Sequence, residues 1–128
     1  YLSLPLVLPS LRTPRRALDA IDITVSKAIR MGVRIAFGTD AGVFAHGRNA
    51  EEFALLAARG MKPVEALKAA TSVNAELFGI ADRVGTLQAG KLADVIAIPG
   101  NPLTEIRQTE KVFFVMKEGR IHRQEPAR

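Results

Sequence analysis

The chain has 128 residues, enough for one domain with a genuine core, and 48% of them are apolar, which excludes a disordered polymer. Aromatics make up only 5%, so the interior must be aliphatic; the absence of cysteine excludes disulfides, thiolate zinc sites and a cysteine nucleophile, and fits a reducing cytoplasm. The net charge of +5 reads either as an arginine-rich solvated surface or as a nucleic-acid or membrane binder, and the first is favoured because no basic run exceeds Pro14-Arg15-Arg16 and no aromatic platform is interleaved.

In chain order, residues 2–8 are mostly apolar and predict a short buried strand ending near Pro9-Ser10. Thr13 and Pro14 supply a helix start, as cap and first helical residue, and Leu18, Ile21, Val25, Ala28 and Ile29 recur at helical spacing. Gly32 ends that helix, and residues 33–38 predict a second strand. Strand, helix and strand in this order make a βαβ unit with parallel pairing.

After a loop over residues 41–48, Asn49 and Glu52 have the spacing of a capping box, and Phe53, Leu56 and Ala57 face inward. Gly60 stops this helix, Lys62-Pro63 starts another with Ala66, Leu67 and Ala70 on its buried side, and Ser72 opens a short third one closed by Gly79. From Val84 onward glycine and proline punctuate the chain. Residues 93–98 and 112–116 predict strands, the second joined through Glu118-Gly119 to Arg120-Ile121-His122 as a hairpin. The expected division is 1–82 and 83–128. No run of about 18 apolar residues exists to span a membrane.

The residue with the most chemistry to offer is Asp40, where Val33-Arg34-Ile35-Ala36-Phe37-Gly38 meets its loop. A carboxylate at the loop end of a buried parallel strand sits where α/β enzymes keep their chemistry. Beside a divalent cation it stays ionised, serving as metal ligand or as acceptor of a proton from attacking water. The alternative is a turn cap, the aspartate bonding the N–H groups of the next turn. His46, in the same loop, is a metal-ligand or substrate candidate or simply exposed; Thr39 would orient Asp40 or the loop backbone. Asp94, heading a strand, reads as a turn or backbone bond, and His122 as a surface residue. No phosphate-cradling Gly-x-x-x-x-Gly-Lys pattern occurs.

Phe37-Gly38-Thr39-Asp40-Ala41-Gly42-Val43, followed by His46-Gly47-x-Asn49-x-x-Glu52, resembles the last barrel strand and loop of the amidohydrolase superfamily. The likeness is greatest to the branch of imidazolonepropionase-like enzymes and metal-dependent Xaa-Pro dipeptidases and carboxypeptidases. It continues through Met61-x-Pro63-x-Glu65-Ala66-Leu67 and Gly79-Ile80-x-Asp82-x-x-Gly85-Thr86-Leu87-x-x-Gly90-Lys91-x-Ala93-Asp94, and fits Asn101-Pro102-Leu103 in the tail.

The resemblance implies the last two βα units of a TIM-type (β/α)8 barrel in residues 1–82 and part of a small β-sandwich domain in 83–128. It implies a divalent metal, zinc by family habit, with Asp40 as ligand and proton acceptor. His46 and Thr39 become substrate contacts, and Arg12 and Arg15 candidates for a substrate carboxylate. The family's other ligands come from earlier strands, and none of those motifs is in this sequence.

The chain, opening on Tyr1 within an expected strand, therefore reads as a fragment of a hydrolase that cleaves a peptide or cyclic amide C–N bond and is inactive alone. The rival reading is a non-catalytic assembly module. Two barrel strands cannot close their own edges, so association with the missing N-terminal barrel portion or with further copies is expected.

Overall fold

The computed structural model describes residues 2–3, 15–41 and 45–126. β1 (Leu2–Ser3) runs parallel to β2 (Ile35–Ala36), Leu2 opposite Ile35 and Ser3 opposite Ala36, with α1 (Arg15–Arg30) between them. This is the expected βαβ unit. The rest of the expected first strand and the Thr13-Pro14 helix start lie outside the described residues.

The helical spacing in α1 does what it promises: Val25 and Ala28 are buried, and Ile21 and Ile29 pack against the core. The helix ends where Gly32 takes a φ of +71°. The Gly32 N–H then bonds the Ile29 carbonyl and the Val33 N–H bonds that of Ala28, both at 3.0 Å, which satisfies carbonyls the helix would leave open.

The second strand is shorter than residues 33–38 suggested. Val33 is taken up by the closing turn of α1, and the Phe37 N–H leaves the ladder to bond the Ala69 carbonyl at 3.2 Å. Ile35 and Ala36 remain, both buried, as a two-sided strand requires.

Three helices follow in close succession: α2 (Glu51–Ala58), α3 (Pro63–Ala70) and α4 (Ser72–Leu77). Pro63 opens α3 where its missing N–H is not needed, and the Glu65 carboxylate accepts the Lys62 N–H at 3.3 Å. The expected capping box at α2 does not form. Ala50 precedes that helix in a helical conformation with no side-chain cap, and the Asn49 amide is engaged elsewhere.

The core joins these pieces: Val25 and Ala28 of α1, Ile35 of β2, Leu56 of α2, Met61, and Ala66 of α3. Phe37 and Phe53 flank it, their rings 4.5 Å apart and tilted by 32°. Leu56 is 1% exposed, and a fully buried leucine contributes about 1.5–3 kcal/mol.

After α4 the chain passes through turns to an antiparallel sheet in the order β3 (Val95–Ala97), β4 (Phe114–Lys117), β5 (Arg120–Gln124). Lys91 ties the crossing down, its Nζ donating to the Ala81 carbonyl at 2.6 Å and to Thr86 Oγ1 at 2.7 Å. Asp94 makes the turn bond expected of it: its Oδ1 accepts the Glu118 N–H at 2.8 Å and its Oδ2 pairs with Lys117 Nζ at 2.7 Å. A 3-10 helix, Ile106–Glu110, with Thr109 buried, leaves this sheet to pack on α2. Among the described residues no helix is long and apolar enough to cross a membrane.

Candidate functional site at the end of the second strand

β2 delivers Asp40 to the surface four residues past its last paired position. The carboxylate side chain is exposed, and its backbone is left-handed at φ +48°. For a residue with a Cβ that conformation costs roughly 1–2 kcal/mol, somewhat less for aspartate, and it marks a backbone shaped by its surroundings.

Two amide side chains hold the residues that precede Asp40. Asn74 of α4 donates from Nδ2 to the Phe37 carbonyl at 2.9 Å, and Asn49 donates from Nδ2 to Thr39 Oγ1 at 2.7 Å. Both bonds are partly buried. The strand end is therefore anchored at residues 37 and 39 by groups from outside the sheet. Asn74 was not singled out in the sequence; the clue available was an amide within a short, otherwise largely apolar helical stretch.

Next to Asn49, Arg48 clasps Glu51 with two bonds, Nε to Oε1 at 2.6 Å and Nη2 to Oε2 at 2.7 Å. The Arg48 guanidinium holds the Glu51 carboxyl below the usual carboxylate range, and the charge of Arg107 on the 3-10 helix adds a smaller pull. Arg48 is correspondingly held above its ordinary value. Glu52 is 2% exposed, in the first turn of α2, where the positive end of the helix dipole favours an anion.

Of the residues proposed from sequence, Thr39 is half-buried and hydrogen-bonded, whereas Asp40 and His46 are exposed on either side of residues 42–44. Arg12 lies outside the described residues. His122 is exposed on β5. A cavity of 490 Å³ lies between α4 and β3, lined by Ala75, Phe78, Leu87 and Ile96 among others, and one of 230 Å³ lies by Val33 and Met61; neither includes Asp40. Among the described residues no group of three or more histidine or carboxylate side chains could hold a metal ion. The donor chemistry fits one oxygen ligand from Asp40.

The profile of the amidohydrolase family matches residues 9–122. The chain belongs to the amidohydrolase family. A relative, ochratoxinase of Aspergillus niger, is 42% identical over 100 residues, covering 73% of this chain and 20% of the ochratoxinase. A crystal structure of a Xaa-Pro dipeptidase with methionine bound in its active site is 45% identical with a TM-score of 0.78, over 80% of this chain and 25% of that one. The crystal structure of the ochratoxinase superposes with a TM-score of 0.71 and 35% identity, over 86% of this chain and 26% of its own. The mixed α/β fold thus resembles amidohydrolase structures, and the chain spans about a fifth of the length of the curated relatives it matches.

Proposed function

We propose that this chain is the C-terminal part of a metal-dependent amidohydrolase cleaving a peptide or cyclic amide C–N bond, with Asp40 as metal ligand and proton acceptor. The observation that carries the reading is an exposed carboxylate, backbone left-handed, at the loop end of the buried strand β2 in a chain of this family. Residues 1–82 are read as the last two βα units of a (β/α)8 barrel and 83–128 as part of a small β domain.

A divalent cation, zinc by preference, would take Asp40 as one ligand and others from the remainder of the protein; when bound it would polarise the scissile carbonyl and acidify a water. Asp40 takes the proton released as water adds to that carbonyl and gives it to the departing nitrogen, a transfer typically worth 10²–10⁴-fold. His46 and Thr39 are read as substrate contacts, Thr39 keeping its hydroxyl proton while its oxygen accepts from Asn49. The Xaa-Pro dipeptidase with methionine bound in its active site supports an amino-acid-like substrate. Exposed Met31, Phe78 and Leu87 support burial against the rest of the barrel or a second copy, with the isolated chain inactive.

The test is Asp40→Asn in the whole protein carrying this chain, assayed on Xaa-Pro dipeptides and N-acyl amino acids. Turnover is expected to fall about 10³-fold with the melting curve unchanged. Full retained turnover overturns the role.

A further inference from the structure

We propose that Asn74 and Asn49 are positioning residues that aim the Asp40 carboxylate, acting through the backbone of Phe37 and the hydroxyl of Thr39. The inference rests on the reading of Asp40 as the reacting carboxylate and adds the groups that hold it in place.

Past Ala36 the strand has no ladder partner among the described residues, yet its end is not loose. Both polar groups of Phe37 are taken by the helical block: its N–H by the Ala69 carbonyl at the end of α3, and its carbonyl by the Asn74 amide of α4. Two residues on, the Asn49 amide grips Thr39 Oγ1 at 2.7 Å. Successive anchors at 37 and 39 leave Asp40 as the first residue beyond them, in a conformation that free chain avoids. Partly buried bonds of this kind are stronger than the same bonds in water.

The choice of amides is chemically pointed. Both donors are neutral, so they fix a carbonyl and a hydroxyl without setting a charge beside Asp40. Arg48, next to Asn49 in sequence, is clasped by Glu51. Asn49, with α3 and α4, thus holds the strand end that carries the Asp40 carboxylate.

The closing experiment uses the whole protein and the Asn49–Thr39 bond, which can be cut from either end. Thr39→Val removes the acceptor at constant shape, and Thr39→Ser keeps it. Asn49→Ala should lower kcat about 10–100-fold with KM within twofold, the range seen when groups orienting a ligand are lost, and Thr39→Val, which also removes a proposed substrate contact, should lower kcat at least as far. The double variant should be no worse than Thr39→Val alone, and Thr39→Ser should recover kcat to within threefold. Retained kcat in Thr39→Val, additive losses in the double variant, or failure of serine to rescue each overturns the proposal. If Thr39→Val does not fold, Asn49→Ala reads the same bond with the Thr39 side chain intact. Asp40→Asn is measured alongside. Full turnover there sinks the hydrolase reading itself, whereas loss there with a flat Thr39–Asn49 cycle sinks only the positioning role.

Discussion

Gly85 lies against Ala75 so closely that a Cβ added to Gly85 would stand 2.6 Å from the Ala75 Cβ, with Ser72 Cα at 3.2 Å behind it. The turn after α4 meets that helix at this point, and Gly85 also has a φ of +92°. Gly85→Ala adds a clash to a strained backbone and should cost about 2–3 kcal/mol. Adding Ala75→Gly relieves the clash but not the strain, so about half the loss should return. Urea unfolding of the parent, Gly85→Ala and the double variant checks both expectations; an unchanged midpoint in Gly85→Ala would show that the turn can move away.

Asp40 makes a second prediction that needs no substrate. In a left-handed position glycine is tolerated freely, aspartate moderately and alanine poorly. Asp40→Ala should therefore be less stable than the parent by about 1 kcal/mol, and Asp40→Gly as stable or more so. Denaturant midpoints give the order, and a more stable alanine variant would mean the left-handed backbone is absent in solution.

The Asp94 carboxyl is held below its usual range first by the Lys117 ammonium and then by the Glu118 N–H. A depressed carboxyl binds its proton less tightly in the folded state than in the unfolded one. Its contribution is complete above the unfolded value near pH 4 and disappears as pH falls through the lower folded value. Unfolding midpoints taken from pH 6 down to pH 2 should fall less steeply for Asp94→Asn than for the parent. Parallel curves would assign the acid sensitivity to other carboxylates, such as Glu51 beside Arg48.

Leu56 sits where α1, β2 and α3 meet, 1% exposed. Leu56→Ala opens a cavity and should cost about 2–5 kcal/mol, while Leu56→Met keeps the volume and should cost less than about 1.5 kcal/mol. The comparison is a thermal melt of both variants. Equal, small losses would mean that the surrounding aliphatic side chains collapse into the space.

Much of this arrangement was readable from residues because it is local. The α1 stripe, the Lys62-Pro63 start of α3 and the Glu118-Gly119 turn each follow from spacing or from one residue's backbone preference. The parallel pairing of β1 and β2 followed from the order of elements. What the sequence misled on is the use of side chains over distance. Asn49 has the spacing to cap α2, but Ala50 takes the cap position with no side-chain bond, and the Asn49 amide instead donates from Nδ2 to Thr39 Oγ1. Asn74 reaches a carbonyl 37 positions away, and no local rule points to it. The expected length of β2 failed for the same reason, since its end bonds helices instead of a neighbouring strand.

The 3-10 helix Ile106–Glu110 rests on α2, and α2 follows directly on the residue that grips Thr39. A chimaera joining residues 1–100 to a foreign tail would carry Asp40 beside a helix stripped of its cover. Fragment exchange among relatives should therefore splice after Glu110, so that the covering turn travels with the helix it shields.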